Sequence, residues 1–405
     1  MTAVETQTTV FDRLSGPDPH PLLGELREQG PVHSLELPDG ARIWLVTRYE
    51  EARRALADAR LSKRMARGVT SGATAASPTS QHMLSSDPPD HTRLRRLVSA
   101  GFNARRIERL EPRITEIAEE LLDAMAGRDE VDLIDAFAFP LPIQVICELL
   151  GVPADDQASF REWSNLIVEG SVSNLPGRAE QLRTTLGSLV GYIRALLVDK
   201  RNAPADDLLS ALLTVRDEGD QLTEDELVSM VFLMLIAGHE TTVNLIGNGV
   251  YLLLTHPEQR DRLAADPGLL PGAIEEFLRY EGPVQTSTYR ITTEAVEYSG
   301  VEIPAGEPIL ISLMSANRDE SQFPAADQLD VARRDAAHLA FGHGIHFCLG
   351  AALARLEGRI AIGALLNRYP RLNLAVPPGE LDWRSGILIR GLARLPVDLT
   401  GGGPR

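Results

Sequence analysis

Between Phe341 and Gly350 the chain reads Phe-Gly-His-Gly-Ile-His-Phe-Cys-Leu-Gly, and Cys348 is the residue there most able to do chemistry. It stands just before an apolar, helix-like run, Ala351 to Leu366. A thiol at a helix N-terminus meets the positive end of the dipole and unpaired backbone N–H groups. Both favour the thiolate, the form that ligates metals or attacks electrophiles. Gly342 and Gly344 permit backbone shapes closed to other residues, and Gly350 lets something large and flat come near. Phe341 and Phe347 offer the sulfur an apolar cover. A shielded thiolate suits an axial position on iron better than nucleophilic attack.

Three readings compete for this stretch. One is a structural cysteine buried at a loop–helix junction. Another is a zinc site from His343, His346 and Cys348, which lacks the second cysteine pair of structural zinc modules. The last is haem-thiolate ligation. The segment resembles the cysteine-ligand loop of the cytochromes P450, Phe-x-x-Gly-x-x-x-Cys-x-Gly, with Phe341, Gly344, Cys348 and Gly350 in the specified places. The resemblance implies haem b, with Cys348 as the metal ligand.

A second unusual stretch is Ala237-Gly238-His239-Glu240-Thr241-Thr242, inside an apolar run. Glycine in a helix interior costs about 1 kcal/mol relative to alanine, and buried polar side chains cost more when unpaired. Rule-breaking of this kind marks functional sites, although threonines bonding back to the preceding turn would also account for it. A zinc-protease motif fails, because Val243 stands where a histidine is needed. The stretch resembles the oxygen-activating motif of the same family, which implies an acid at Glu240 and an alcohol at Thr241. Splitting an O–O bond needs two protons, delivered through hydroxyl and water in a dry pocket. The helix geometry turns the two side chains about 100° apart, so Thr241 should face the oxygen site and Glu240 solvent or a charged partner.

Further matches are weaker alone. Glu276 and Arg279 lie three apart on one helical face; the family's Glu-x-x-Arg motif implies a buried structural pair, with Arg333 as third member. His91 and Arg95 share a helix face at i, i+4 spacing. With Arg290 and His346 they match family positions that contact the haem propionates.

The elements that must carry these groups are mostly helices. Helical periodicity runs over His91–Ala100, Arg105–Met125, Pro140–Leu150, Ala154–Val168, Ala179–Lys200, Asp206–Val215, Pro257–Asp266 and Pro271–Tyr280. The longest candidate is 223–255, with Thr223 and Glu226 as a capping box. Strand-like pattern appears at 41–47, 289–311 and 372–399, with Pro304-Ala305-Gly306 as a hairpin signal. Residues 68–80 read as a loop. The fold class is mainly α with small β sheets. The resemblance implies the single-domain P450 fold over 1–405, with residues 1–15 and 400–405 as flexible ends.

Composition limits the partners. The 405 residues carry a net charge of −17, with a pI near 5.0, which argues against nucleic acid. Two cysteines, Cys147 and Cys348, make no disulfide framework, so a reducing, cytoplasmic location is expected. Neither a signal peptide nor a membrane anchor is legible. Lysine occurs only at Lys63 and Lys200. Arg93, Arg95, Arg96, Arg105, Arg106, Arg109 and Arg113, with Arg355 and Arg359, form an expected docking patch for an acidic ferredoxin. No Asp or Glu occurs between Arg64 and Ser86, a loop expected to cover the pocket, so a neutral, lipophilic substrate is expected; Glu169, in the other covering region, is a possible counter-ion for a cation.

The resemblance is strongest to actinobacterial hydroxylases of macrolides and secosteroids. It implies a monomeric monooxygenase that uses O₂ and electrons from NAD(P)H by way of a ferredoxin reductase and a ferredoxin. An H₂O₂-dependent peroxygenase and a non-enzymatic haem sensor are the alternatives; neither needs the Glu240–Thr241 pair.

Overall fold

The long helix begins with the capping box its sequence spells. Thr223 Oγ1 accepts the Glu226 N–H at 3.3 Å, and the Glu226 carboxylate accepts the Thr223 N–H at 2.8 Å. Orphan donors are thereby satisfied reciprocally, and the helix runs Glu224–Thr255. By length and composition it could cross a membrane, but 67% of its most apolar window is buried inside the protein. It is the axle of the core, touching helices Pro140–Leu150, Arg178–Asn202, Leu270–Tyr280 and Ala351–Arg368. The computed structural model describes residues 10–36, 40–64, 79–156, 159–160, 162–163, 166, 178–215, 220–334 and 337–401.

Periodicity places the other helices closely: Asp90–Gly101, Ala104–Met125, Pro140–Leu150, Arg178–Asn202, Leu208–Thr214, Pro257–Ala265 and Leu270–Tyr280. The expected helix 154–168 opens as the short turn Ala154–Asp156, and much of its remainder lies outside the described residues. So do positions 65–78 and 167–177, the substance of both pocket-covering segments.

A five-stranded sheet forms one side of the molecule. Its order is Val32–Glu36, Arg42–Val46, Pro308–Ile311, Arg290–Thr292, Leu61–Ser62. A three-stranded sheet joins Glu130–Asp132, Pro396–Asp398 and Asn373–Leu374. The hairpin expected at Pro304–Gly306 is elsewhere: Val296–Tyr298 pairs with Val301–Ile303 around Ser299 and Gly300, both at positive φ. Pro304–Gly306 instead links strands of two different sheets. A Pro-x-Gly turn signals a reversal but does not choose the strand's partner.

The N-terminal end is also more ordered than expected. Val10–Leu14 is helical, Leu14 is buried, and Gln285 Nε2 donates to Leu14 O at 2.7 Å. At the other end, the Asp398 carboxylate accepts both the backbone N–H and the hydroxyl of Thr400. Apolar anchoring and satisfied backbone groups hold both stretches, which periodicity alone does not register.

The cysteine loop is tied down by a buried ionic knot. Arg279 donates two parallel hydrogen bonds to Glu276, 2.7 and 2.8 Å, with both side chains 1% exposed. Its remaining donors reach the carbonyls of Asn317, Ala326 and Gln328. Arg333 joins from the far side, with Nε 3.2 Å from Glu276 Oε1 and further donors on Pro324 O and Ala325 O. Asn317 then passes the constraint on: its Oδ1 accepts the Leu339 N–H at 2.6 Å, just upstream of the cysteine loop. Removing one partner of such a pair strands the other charge in the interior, at a cost of about 3–5 kcal/mol. Arg279→Ala is expected to lower unfolding stability by that amount in urea titration, against less than about 1 kcal/mol for Arg183→Ala, which removes an exposed pair with Glu180.

Candidate active site

The loop that carries Cys348 is wound by its glycines. Gly342 and Gly344 both have φ of +73°. At Gly344 a Cβ would stand 3.1 Å from Ala57 Cα and 3.2 Å from Leu56 O, so the loop rests on the end of helix Tyr49–Ala57. Gly350 differs, with φ of −81°, and a Cβ there would meet only the Cys348 sulfur, at 3.9 Å. The Cys348 N–H donates to Phe341 O at 2.9 Å, and its sulfur accepts from the backbone N–H groups of Gly350 and Ala351.

Two expectations about this sulfur need correction. Burial pushes the Cys348 thiol up, and the Gly350 and Ala351 N–H groups, Arg95 and Arg355 only partly offset it. The helix terminus acts in the direction expected, but desolvation outweighs it. The residue is walled by protein on most sides yet open on one, which is why it counts as exposed. Nor do both phenylalanines cover it. Phe347 is 42% exposed, while Phe341 lies half-buried beneath the Arg355 guanidinium, 4.5 Å from its ring centre. Cys147 is the opposite case: it is fully buried in helix Pro140–Leu150, and burial pushes its thiol up to about 12.

Four expected cationic groups converge, and a fifth joins them. The rings of His91 and His346 meet edge to face, 4.4 Å between centroids. Burial lowers the His346 pKa to about 2, aided by Arg290, His91, Lys63 and Arg95 in that order. Burial and then Arg95 also lower His91, whose two ring nitrogens make no hydrogen bond of normal geometry. Arg290 is buried; one terminal nitrogen caps the helix Tyr49–Ala57 through Ala55 O and Leu56 O, while its Nε has no partner. Lys63 was missed by pattern, its one signal being the rarity of lysine in this chain. Its buried ammonium donates to Thr288 O at 3.0 Å and to the Thr288 hydroxyl, and burial drives its pKa well down.

So many buried N–H donors around so little acid are costly unless an acceptor completes them, and burial without one already pushes His91, His346 and Lys63 toward their neutral forms. Asp87, the nearby carboxylate, already accepts from Ser62, Lys63 N–H and Arg64 N–H. The unpaired donors of His91 and Arg290, the open side of Cys348 and the free space over Gly350 together fit a flat dianionic ligand with a metal at its centre. Among the described residues no cluster of His, Cys, Asp and Glu is arranged for a bare metal ion, so the zinc alternative finds no ligand set.

On the long helix Ala237 and Gly238 are exposed on a face that Thr241 shares. Thr241 Oγ1 donates to Ala237 O at 2.9 Å, and Thr242 Oγ1 to Gly238 O at 3.3 Å. Glu240 turns the other way, is buried, and pairs with Arg384. The arginine patch is largely neutralised within the chain. Arg93 pairs with Glu226, Arg106 and Arg109 with Asp206, Arg113 with Glu148, Arg355 with Glu275 and Arg359 with Glu111. Charge counted along a sequence ignores such pairing, so strong electrostatic steering is not the expectation here.

The Cytochrome P450 family model matches residues 178–266 and 268–383. The chain is 51% identical to a vitamin D(3) 25-hydroxylase of Pseudonocardia autotrophica over 412 residues, covering 100% of both. It is 43% identical to a mycinamicin IV hydroxylase/epoxidase of Micromonospora griseorubida, covering 98% of this chain and 100% of that one. Among solved structures it resembles myxobacterial cytochrome P450 CYP267B1 in complex with myristic acid, with a TM-score of 0.90, 42% identity, and coverage of 96% and 98%.

The cationic cluster makes its own prediction. His91→Phe and Arg290→Met are each expected to speed transfer of the prosthetic group to excess apomyoglobin by about 10-fold or more, the worth of one charge-assisted hydrogen bond. Transfer at the wild-type rate would dissociate the cluster from that group.

Proposed function

The chain belongs to the cytochrome P450 family of haem-thiolate monooxygenases, and from that premise we propose that Cys348 is its iron ligand and that its substrate is a bulky, neutral lipophile of macrolide or secosteroid type. The observation that carries the assignment is the pairing of one exposed, backbone-bonded sulfur with a cluster of buried N–H donors in which the His91 ring nitrogens and Arg290 Nε have no partner. Haem b, when bound, supplies the activation of O₂ by which two electrons and two protons put one oxygen atom into a C–H bond or alkene and release the other as water.

The chain's own residues divide the remaining work. The Gly350 and Ala351 N–H groups orient the Cys348 sulfur and soften its charge. His91, Arg95, Arg290 and His346, with Lys63, are proposed to hold the propionates. Phe341 braces the loop through Arg355, whose partner Glu275 is raised by burial but held down to about 2 by Arg355 and His338. Ala237 and Gly238 keep the middle of the long helix low, so that a small molecule fits against it. The Thr241 hydroxyl spends its proton on Ala237 O, leaving its oxygen lone pairs toward the open side. It is therefore proposed to accept a hydrogen bond from a water that carries protons to the reacting oxygen, and to hold that water in place. Glu240 is proposed as the acid that replenishes protons through water.

Two features support a neutral substrate. Glu240, the acid at the middle of the long helix, is already committed to Arg384 and is no counter-ion for an ammonium. One relative, the vitamin D(3) 25-hydroxylase, is named for an uncharged secosteroid. A ferredoxin and its reductase are proposed as electron donors. NADPH with that pair should support turnover of such lipophiles, whereas H₂O₂ alone should not.

Two substitutions, each with a control, test the assignments. Cys348→Ser is expected to lose the thiolate band of the reduced CO complex and all oxygenation, while Cys147→Ser keeps both; an unchanged CO spectrum in Cys348→Ser overturns the ligand. Thr241→Ala is expected to retain haem, substrate binding and NADPH consumption but to release peroxide in place of most product. Thr242→Ala, whose hydroxyl serves only the preceding turn, should stay coupled.

A further inference from the structure

The counter-ion of Glu240 comes from 144 residues further along the chain. Arg384 belongs to a C-terminal hairpin in which its N–H donates to Gly391 O at 2.9 Å, Ala393 N–H donates to Asp382 O at 2.8 Å, and Trp383 bridges Leu392. This hairpin lies along one stripe of the long helix. Glu240, Asn244 and Asn248 recur every fourth residue, so they share a face. Asn248 Nδ2 donates to Arg390 O at 3.2 Å. Asn244 presses on Gly391 so closely that a Cβ there would stand 1.9 Å from its Oδ1.

The seam carries a polar stripe, Glu240, Asn244 and Asn248, and closes on an aromatic contact, Tyr251 against Trp383 at 5.3 Å between ring centres. Both amide atoms of Asn244, and Oδ1 of Asn248, are buried without a protein partner. Native proteins leave few such groups, and those they leave are served by buried water. Glu240 heads this seam, next in sequence to Thr241. The other titratable group facing it, His239 of the same helix, has Nε2 3.9 Å from Glu240 Oε2 and is lowered by complete burial. Arg384 is thus the one cation the described residues set in contact with the Glu240 carboxylate.

We propose that Arg384 is a positioning residue for proton delivery: its guanidinium fixes the Glu240 carboxylate at the head of the hydrated seam, from which protons pass to the water beside Thr241. This rests on the reading of Glu240 and Thr241 as the proton pair. A contact of purely structural value would behave differently, because its loss would disturb the CO spectrum or probe binding and leave the peroxide yield at the wild-type level.

The test is a double-mutant cycle on the haem-loaded enzyme: wild type, Glu240→Gln, Arg384→Met and the double variant. Peroxide released per NADPH is measured with ferredoxin and reductase, both without substrate and with vitamin D(3) as probe. Arg384→Gln serves as a second variant should Arg384→Met fold poorly, and the CO spectrum and probe dissociation constant should match wild type in each. Glu240→Gln is expected to raise peroxide yield and to slow probe oxidation about 100-fold, as removal of a positioned proton donor does. Arg384→Met should slow it about 10-fold, the equivalent of one charge-assisted contact, and should add nothing in the Glu240→Gln background. Wild-type coupling in Glu240→Gln defeats the parent reading, and this inference with it. Uncoupling in Glu240→Gln with Arg384→Met unaffected, or with both effects multiplying in the double variant, overturns Arg384 alone.

Discussion

A carboxylate with almost no access to water is the constraint on which much of this structure turns. Glu276 cannot stay charged in the interior without full compensation, and Arg279, Arg333 and the Asp330 N–H supply it. The guanidinium of Arg279 has donors left over, and these seize the carbonyls of Asn317, Ala326 and Gln328. An irregular stretch with no ladder of its own is thereby given fixed backbone partners. Through Asn317 and Leu339 the same constraint reaches the entrance of the cysteine loop. Such a knot adds little net stability over a well-packed apolar core, but it specifies one arrangement of the loop.

The remaining charges divide sharply between surface and interior. The protein is acidic overall, yet its interior gathers Lys63, His91, Arg290 and His346 in one place with almost no acid. On the surface the pattern reverses, and most helix arginines are answered by a carboxylate of a neighbouring element. Buried donors without a partner mark a site, because their desolvation is offset only when a ligand accepts from them. Surface charge with a partner marks packing, because water and neighbours already satisfy it. The same residue type therefore carries opposite meanings here.

The long helix joins these two halves. Its apolar flanks bury it in the core, and its centre breaks the pattern where Ala237, Gly238 and Thr241 face the open side. Both threonines bond back to carbonyls of the preceding turn, as the bland reading of the motif anticipates. That contact and a functional one are compatible, since a hydroxyl donates one proton and still offers lone pairs. The acid beside it faces a different element, the C-terminal hairpin, so chemistry and packing are separated by about 100° of helix rotation.

Much of this was legible in the order of residues. Helix extents follow from apolar periodicity and the start of the long helix from Thr223 and Glu226, because each depends on neighbours within a turn or two. The glycine-wound loop at Cys348 is equally local. The burial of the Glu276–Arg279 pair, by contrast, is implied only by the family resemblance and needs Arg333 from 57 residues away. What the sequence could not determine depends on pairs far apart in the chain. The hairpin partner at Ser299–Gly300, the anchoring of Leu14, the burial of Lys63 beside Thr288 and the arrival of Arg384 at Glu240 have no local signature. The sign of the Cys348 pKa shift belongs with them: the helix terminus is written in the sequence, but the desolvation that outweighs it exists only once distant elements close around the sulfur.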